Sequence, residues 1–504
     1  MSVSDGISLV ISPITTFLGN DSSLLAKFAN LGLAQTTLEE FAVDYVDTNN
    51  TDLAKISQIL YVVLRDENLT ATFKQTLLNA TPSTVAGLFA LAEADINSSK
   101  TIGTEEKIIS RAILAKMKGF SSSVSTMETT LKTEKENLAF VNEHGNPFVT
   151  VWETNSTDSS ITIPTHSSAY TYNYIVDWGD GTVENNVSGD SSHTYSVDGN
   201  HTIKIYEQFP AIYFNYREGR NQILMINSWG DIIWKDMMLS FYGCSNLNSN
   251  SSDAPILKDV NDLSHMFYKA YSFNGYINNW DVSNITDMTG IFMRATSFNK
   301  PLNNWNVSSV KYMTSMFEYA TVFNQSLDNW KTSEVITTQY MFEGATSFDQ
   351  SLNEWDINKV ENIEGMFDQA SSFNQPLNNW NVSNVTNMLG LFRAGKFNQD
   401  ISSWNVGNVT DMAQMFWGNE FFNQNLQNWD VRNVQRMYGI FDGASSFNQD
   451  ISNWNVSSVT DMNYMFRNTT AFTKQNLSAW NVGNVTSHTD FMIGSGAGNT
   501  EPNW

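Results

Sequence analysis

From residue 262 onward, apolar and polar positions recur in one order. The clearest copy runs from Phe397 to Phe416. Within it, Ile401, Trp404 and Val406 are followed by Val409, Met412, Met415 and Phe416. The tryptophan returns at Trp280, Trp305, Trp330, Trp355, Trp380, Trp404, Trp429, Trp454 and Trp480, a spacing of 24 to 26 residues. A fixed period of this length marks a solenoid, whose units bury their apolar faces only by stacking on one another. Trp and Val two apart predict a strand with both side chains directed inward. Val409, Met412, Met415 and Phe416 fall at i, i+3, i+6 and i+7, which predicts a short helix or helical turn. Asn408-x-x-Asp411 and Ser458-x-x-Asp461 resemble N-cap arrangements for it. Ala295, Ala320, Ala345 and Ala370 stay small at a return turn, and Phe298, Phe323, Phe373 and Phe447 close the coil. Thr332, Ile363, Gly395 and the last unit, His488 to Met492, depart from the pattern.

The pattern upstream differs. Leu53, Ile56, Ile59, Leu60 and Val63 lie at helical spacing, and Thr37-Leu-Glu-Glu40 reads as a capping box. Residues 1–140 are therefore expected to form a small helical domain for anchoring or assembly. From about residue 147 the pattern alternates, in Phe148 to Trp152, Ile161 to Ile163 and Tyr172 to Val176, which predicts strands. Residues 208–262 read as a bridge and cap, because Phe241 stands one period ahead of Phe267. The expected fold is multidomain α+β. It comprises a helical domain (1–140), a β-sandwich (147–207), the bridge (208–262) and a leucine-rich-repeat-like solenoid of about 25-residue units (263–504).

Two resemblances sharpen this. Val176-Asp-Trp-Gly-Asp-Gly-Thr182, followed by His193-Thr-Tyr195 and Gly199-Asn-His-Thr-Ile203, resembles the polycystic-kidney-disease (PKD) type β-sandwich. The repeated W-x-V-x-x-V-T-x-M-x-x-M-F unit is similar to BspA-like leucine-rich-repeat surface proteins, which often carry a W-G-D-G-T module ahead of the repeats. That second resemblance covers about residues 147–490. It implies a surface-displayed protein that binds host proteins or other cells, and implies no catalysis.

Composition narrows the function classes. A chain of 504 residues exceeds one hydrophobic core. Its net charge of −24 makes nucleic acid and anionic membranes poor partners. Cys244 is the only cysteine, so no disulfide forms within the chain. The first 20 residues lack the basic region of a signal peptide, and no apolar run is long enough to insert in a membrane. The six histidines are scattered without metal-ligand spacing, and no catalytic constellation stands out. No cofactor is expected. Asp177 and Asp180 flank a tight turn whose carboxylates either accept backbone hydrogen bonds or bind a cation such as calcium.

The residues beside each tryptophan point outward. Asn304, Asn329, Glu354, Asn379 and Asn428 precede it, and Asn306, Lys331, Asp356, Asn381, Asn405, Asp430 and Asn455 follow it. They are expected to form parallel polar files, either hydrogen-bonded ladders that stabilise the stack or a recognition face for protein or glycan. Asn284, Asn381, Asn384, Asn408 and Asn484 head Asn-x-Ser/Thr sequons that belong to the repeat consensus. Two functional expectations follow. One is a non-enzymatic binding protein displayed on a cell or virion surface, engaging a protein or glycan of another cell. The other is a self-assembling structural protein of a virion, fibre or lattice, anchored through residues 1–140.

Overall fold

In the computed structural model, residues 140, 141 and 143–504 are described. The expected helical domain of residues 1–140 lies almost wholly outside them. Residues 145–504 form one compact unit, and no residue of that unit is α-helical. The α+β expectation is thereby corrected. From residue 145 on, the chain is built of strands, isolated bridges and turns.

Eight strands open the unit: β1 (Phe148–Thr154), β2 (Ser160–Ile163), β3 (Asn173–Asp177), β4 (Val183–Val187), β5 (Ser191–Thr194), β6 (Gly199–Gln208), β7 (Ile223–Ser228) and β8 (Asn248–Ser249). Six form one sheet in the order β4-β3-β6-β1-β7-β8, and β2 pairs with β5 in a second. Alternation decides the faces. In β1, Phe148, Thr150, Trp152 and Thr154 are buried. Ile161 and Ile163 of β2 join Trp152 and Trp178 in one core. Strand β7 pairs antiparallel with β1 and parallel with β8. The sheet thus continues directly into the stacked coils.

Parallel bridges then run Asp262, Asp287, Tyr312, Thr337, Asn362, Asn387, Asp411, Arg436, Asp461 and Ser487, one residue per coil. These positions immediately precede the site that holds methionine in six of the ten coils (Leu263, Thr338, Ile363 and His488 in the others), not the tryptophan. No strand forms at Trp-x-Val, although its inward phase is as expected: Trp404 is 4% exposed and Val406 1%. Short turns bracket the pair instead, Trp404 N–H to Ile401 O at 3.1 Å and Val409 N–H to Val406 O at 2.9 Å.

The expected helical turn is also replaced. After Met288, the N–H groups of Ile291, Met293 and Ala295 donate three residues back, to Met288, Gly290 and Phe292. The alternate N–H groups of Met288, Gly290, Phe292 and Arg294 donate to the next coil, at Tyr312, Thr314, Met316 and Glu318. Gly290 and Arg294 have φ of 60° and 58°. Left-handed residues four apart break a helix. They suit the third position of a type II turn, where glycine is favoured. The same pair recurs at Tyr340 and Gly344, Gly365 and Gln369, Gln414 and Gly418, and Gly439 and Gly443. Asp411 does cap this run, accepting Ala413 N–H at 2.9 Å, but the run it opens is a chain of turns.

From Leu263 to Trp480, each coil buries at least one methionine, two phenylalanines and a tryptophan. Phe292 stacks on Phe298 at 4.1 Å and on Phe317 of the next coil at 5.7 Å. The indole N–H reaches back one coil: Trp404 Nε1 donates to Leu377 O at 3.0 Å and Trp380 Nε1 to Leu352 O at 2.8 Å. Trp280, at the head of the file, finds no acceptor. A second file consists of Asn274, Asn299, Asn324, Asp349, Asn374, Asn398, Asn423 and Asn448. Each Oδ1 accepts the backbone N–H of the next file position, at 2.9 to 3.1 Å. The departures are accommodated. Thr332 is buried with its hydroxyl on Asp356 O at 3.0 Å, and Ile363 fills the methionine site.

Candidate recognition surface

The twelve outward positions beside the tryptophans are all exposed: Asn304, Asn306, Asn329, Lys331, Glu354, Asp356, Asn379, Asn381, Asn405, Asn428, Asp430 and Asn455. Those before the tryptophan lie on turns and those after it on irregular backbone, and the strand expected beneath them is absent. The residues after the tryptophan are committed to local structure. Asn306, Asp356, Asn381, Asn405, Asp430 and Asn455 each accept, through Oδ1, the N–H two residues on, at 3.0 to 3.3 Å. Lys331 alone breaks the Asn/Asp run in this file. Side-chain bonds between coils are local, such as Asn379 Nδ2 to Glu354 Oε1 at 3.1 Å.

The repeated sequon asparagines have a structural role too. Asn284, Asn384, Asn408 and Asn484 donate Nδ2 to a backbone carbonyl of the preceding coil, at 2.6 to 3.2 Å. Their recurrence therefore follows from coil stacking.

Asp177 and Asp180 sit in the turn between β3 and β4. Asp177 Oδ1 accepts Gly179 N–H at 2.9 Å, and Lys204 Nζ stands 3.3 Å from Oδ2. Asp180 accepts Thr182 N–H at 2.9 Å and pairs with His193 Nε2 at 2.7 Å. The bond to His193, then that to Thr182, holds the Asp180 carboxyl down at about 2. Gly179, at φ 82°, is required, because a Cβ there would lie 2.3 Å from Thr202 O. Both carboxylates are thus occupied within the turn. Among the described residues, no group of three or more His, Cys, Asp and Glu is placed to hold a metal ion.

A different face distinguishes one coil from the next. It is formed by the four unspecified positions of M-x-x-M-F-x-x: in one coil Thr289, Gly290, Met293 and Arg294, in another Gln339, Tyr340, Glu343 and Gly344. Its third file reads Tyr268, Met293, Glu318, Glu343, Asp368, Arg393, Trp417, Asp442 and Arg467. The backbone beneath is constant. The carbonyls of these nine residues and of Ile493 accept the same coil-to-coil hydrogen bond at 2.6 to 2.9 Å from Met293 onward, whichever side chain is present. Identical backbone places an identical demand on each coil, so backbone stacking alone does not account for the variety, though Asp368 with Arg393 and Asp442 with Arg467 pair between adjacent coils. The left-handed positions add to the contrast. Glycine fits them without steric cost, yet Arg294, Tyr319, Tyr340, Gln369, Gln414 and Tyr464 adopt φ between 53° and 59°. Expectation had centred on the tryptophan flanks. Comparing the repeats column by column is the sequence signal that singles out this turn face instead.

The family model described as "Mycoplasma protein of unknown function, DUF285" matches residues 235–353, 327–420 and 390–504, more than half of the chain. The chain belongs to this family. The match falls on the same coils that carry the BspA-like resemblance and supports a BspA-like repeat protein. No curated protein and no solved structure matches the chain.

Proposed function

We propose that this DUF285-family repeat protein is a non-enzymatic binding protein, displayed on a cell or virion surface, whose solenoid presents a recognition face to a protein or glycan of another cell. One observation carries the reading: a face whose side chains change from coil to coil over an invariant backbone. Repeat scaffolds bind through such extended surfaces, with neighbouring coils adding independent contacts. The β-sandwich, read as PKD-like from its W-G-D-G-T turn between β3 and β4 and its H-x-Y motif at the end of β5, acts as a spacer. Its sheet runs unbroken into the first coil through β7 and β8.

The test is a binding screen of the full chain against cultured cells, a glycan array and a protein array. Saturable binding that survives physiological salt is the expected result. No binding in any of the three formats refutes the proposal.

A further inference from the structure

Within that reading, we infer that three consecutive coils of the turn face form a docking site for a basic protein segment, one presenting lysine or arginine side chains. The site spans Glu318 and Tyr319, then Gln339, Tyr340 and Glu343, then Glu364 and Asp368.

Its groups are linked across coils. Tyr319 Oη donates to Glu343 Oε1 at 2.9 Å. Tyr340 Oη donates to Glu364 Oε1, while Gln339 Nε2 and Asn387 Nδ2 hold Glu364 Oε2 at 2.8 and 3.0 Å. Each tyrosine thus orients a carboxylate beside an aromatic ring, and both features attract a cation. The chain's own guanidinium groups show how such a cation sits. Arg294 lies 4.8 Å from the centroid of the Tyr319 ring, and Arg393 pairs with Asp368 Oδ2.

Four carboxylates face these two cations, so the patch keeps an excess of negative charge. An independent observation points the same way. Asp368 is 3% exposed, and its second oxygen, Oδ1, has no hydrogen-bond partner. An acceptor left buried without a donor is costly, and Arg393 offsets the charge of this carboxylate through its other oxygen alone. Burial, then the charges of Asp368 and Glu318, push the Glu343 carboxyl up, against the Tyr319 bond that lowers it. A further cation at the site lowers it, as Arg393 does. The chain's net charge of −24 further favours encounter with a basic partner.

The experiment uses the full chain and a fluorescein-labelled deca-arginine peptide, read by fluorescence anisotropy at physiological salt. The double variant Glu343→Gln with Glu364→Gln is expected to weaken binding about tenfold, equivalent to ~1.4 kcal/mol. The control, Glu354→Gln with Asp356→Asn, removes the same charge beside the tryptophans and is expected to change affinity less than about twofold. Equal losses in both pairs would show attraction by net charge alone and overturn the inference, as would no loss in either. Circular dichroism confirms that each variant is folded. A glycan or cell ligand found in the screen and retained by the Glu343/Glu364 variant also overturns this site while leaving the binding function intact. Peptide binding at this site without any ligand in the screen would leave the site standing and sink the function.

Discussion

The asparagine file gives the sharpest stability test. Asn398 Oδ1 accepts two hydrogen bonds from the next coil, Asn423 N–H and Gln424 Nε2, both at 2.9 Å. Asn398→Ala removes both and leaves the Asn423 amide without its acceptor. Each net hydrogen bond contributes about 1 kcal/mol, so losing the two gives an expected loss of about 2 kcal/mol. Asn398→Asp keeps the acceptor oxygen. The file already contains such a case: Asp349 Oδ1 accepts Asn374 N–H at 2.9 Å. The aspartate variant should therefore stay within about 0.5 kcal/mol of wild type at neutral pH. In a solenoid the defect is felt mainly by neighbouring coils, so a local readout is preferable to a global melting curve. Amide hydrogen exchange of Asn423 supplies it. Two kcal/mol corresponds to roughly thirtyfold faster exchange. If the aspartate variant exchanges as fast as the alanine variant, the side-chain oxygen is not what joins the coils.

Further expectations follow from the same coils. Trp404→Phe keeps the buried ring but removes the indole donor to Leu377 O, and should cost about 1 kcal/mol in urea unfolding. Trp404→Ala should cost about 3 to 5 kcal/mol, and equal losses in the two would exclude the packing argument. Gly439→Ala should cost about 1 kcal/mol, because φ is 55° and the new Cβ makes only an ordinary contact with Asp442. Gly365→Ala should cost clearly more, because its Cβ would lie 2.4 Å from the Tyr340 ring. The ranking, read by denaturation, is the check. Asp180 titrates at about 2 when folded, below the ordinary aspartate value of about 3.9. Its contribution is therefore complete above about pH 4 and is lost as pH falls toward 2. His193→Gln should raise that carboxyl and move the loss to higher pH; an unchanged NMR titration of Asp180 would contradict the assignment.

How far the sequence could be read differs from element to element. The W-G-D-G-T hairpin was legible because glycine and aspartate act through bonds within a few residues, as Gly179 and Asp180 do. The burial of Trp404 and Val406 was legible from their phase. The recognition surface was only half legible. Exposure beside the tryptophans was readable, but the Asx turns that bind Asn306 and Asn405 into the backbone were not. Nor did the sequence show that Tyr319 and Tyr340 share one patch with Glu343 and Glu364, since those residues meet only through stacking.

The sequence by itself determined the solenoid, its period and the identity of its core, because apolar side chains recurring every 24 to 26 residues have to be buried by stacking. Only the tertiary structure decided the path of the backbone between those side chains. Val409, Met412, Met415 and Phe416 are spaced as on a helix, but a run of turns with left-handed residues at Gln414 and Gly418 buries the same four. What separates the two is the destination of the alternate N–H groups. A helix satisfies them within its own segment; here Met412, Gln414, Phe416 and Gly418 donate to Arg436, Tyr438, Ile440 and Asp442 one coil away. That partner is distant along the chain, and no local pattern encodes it.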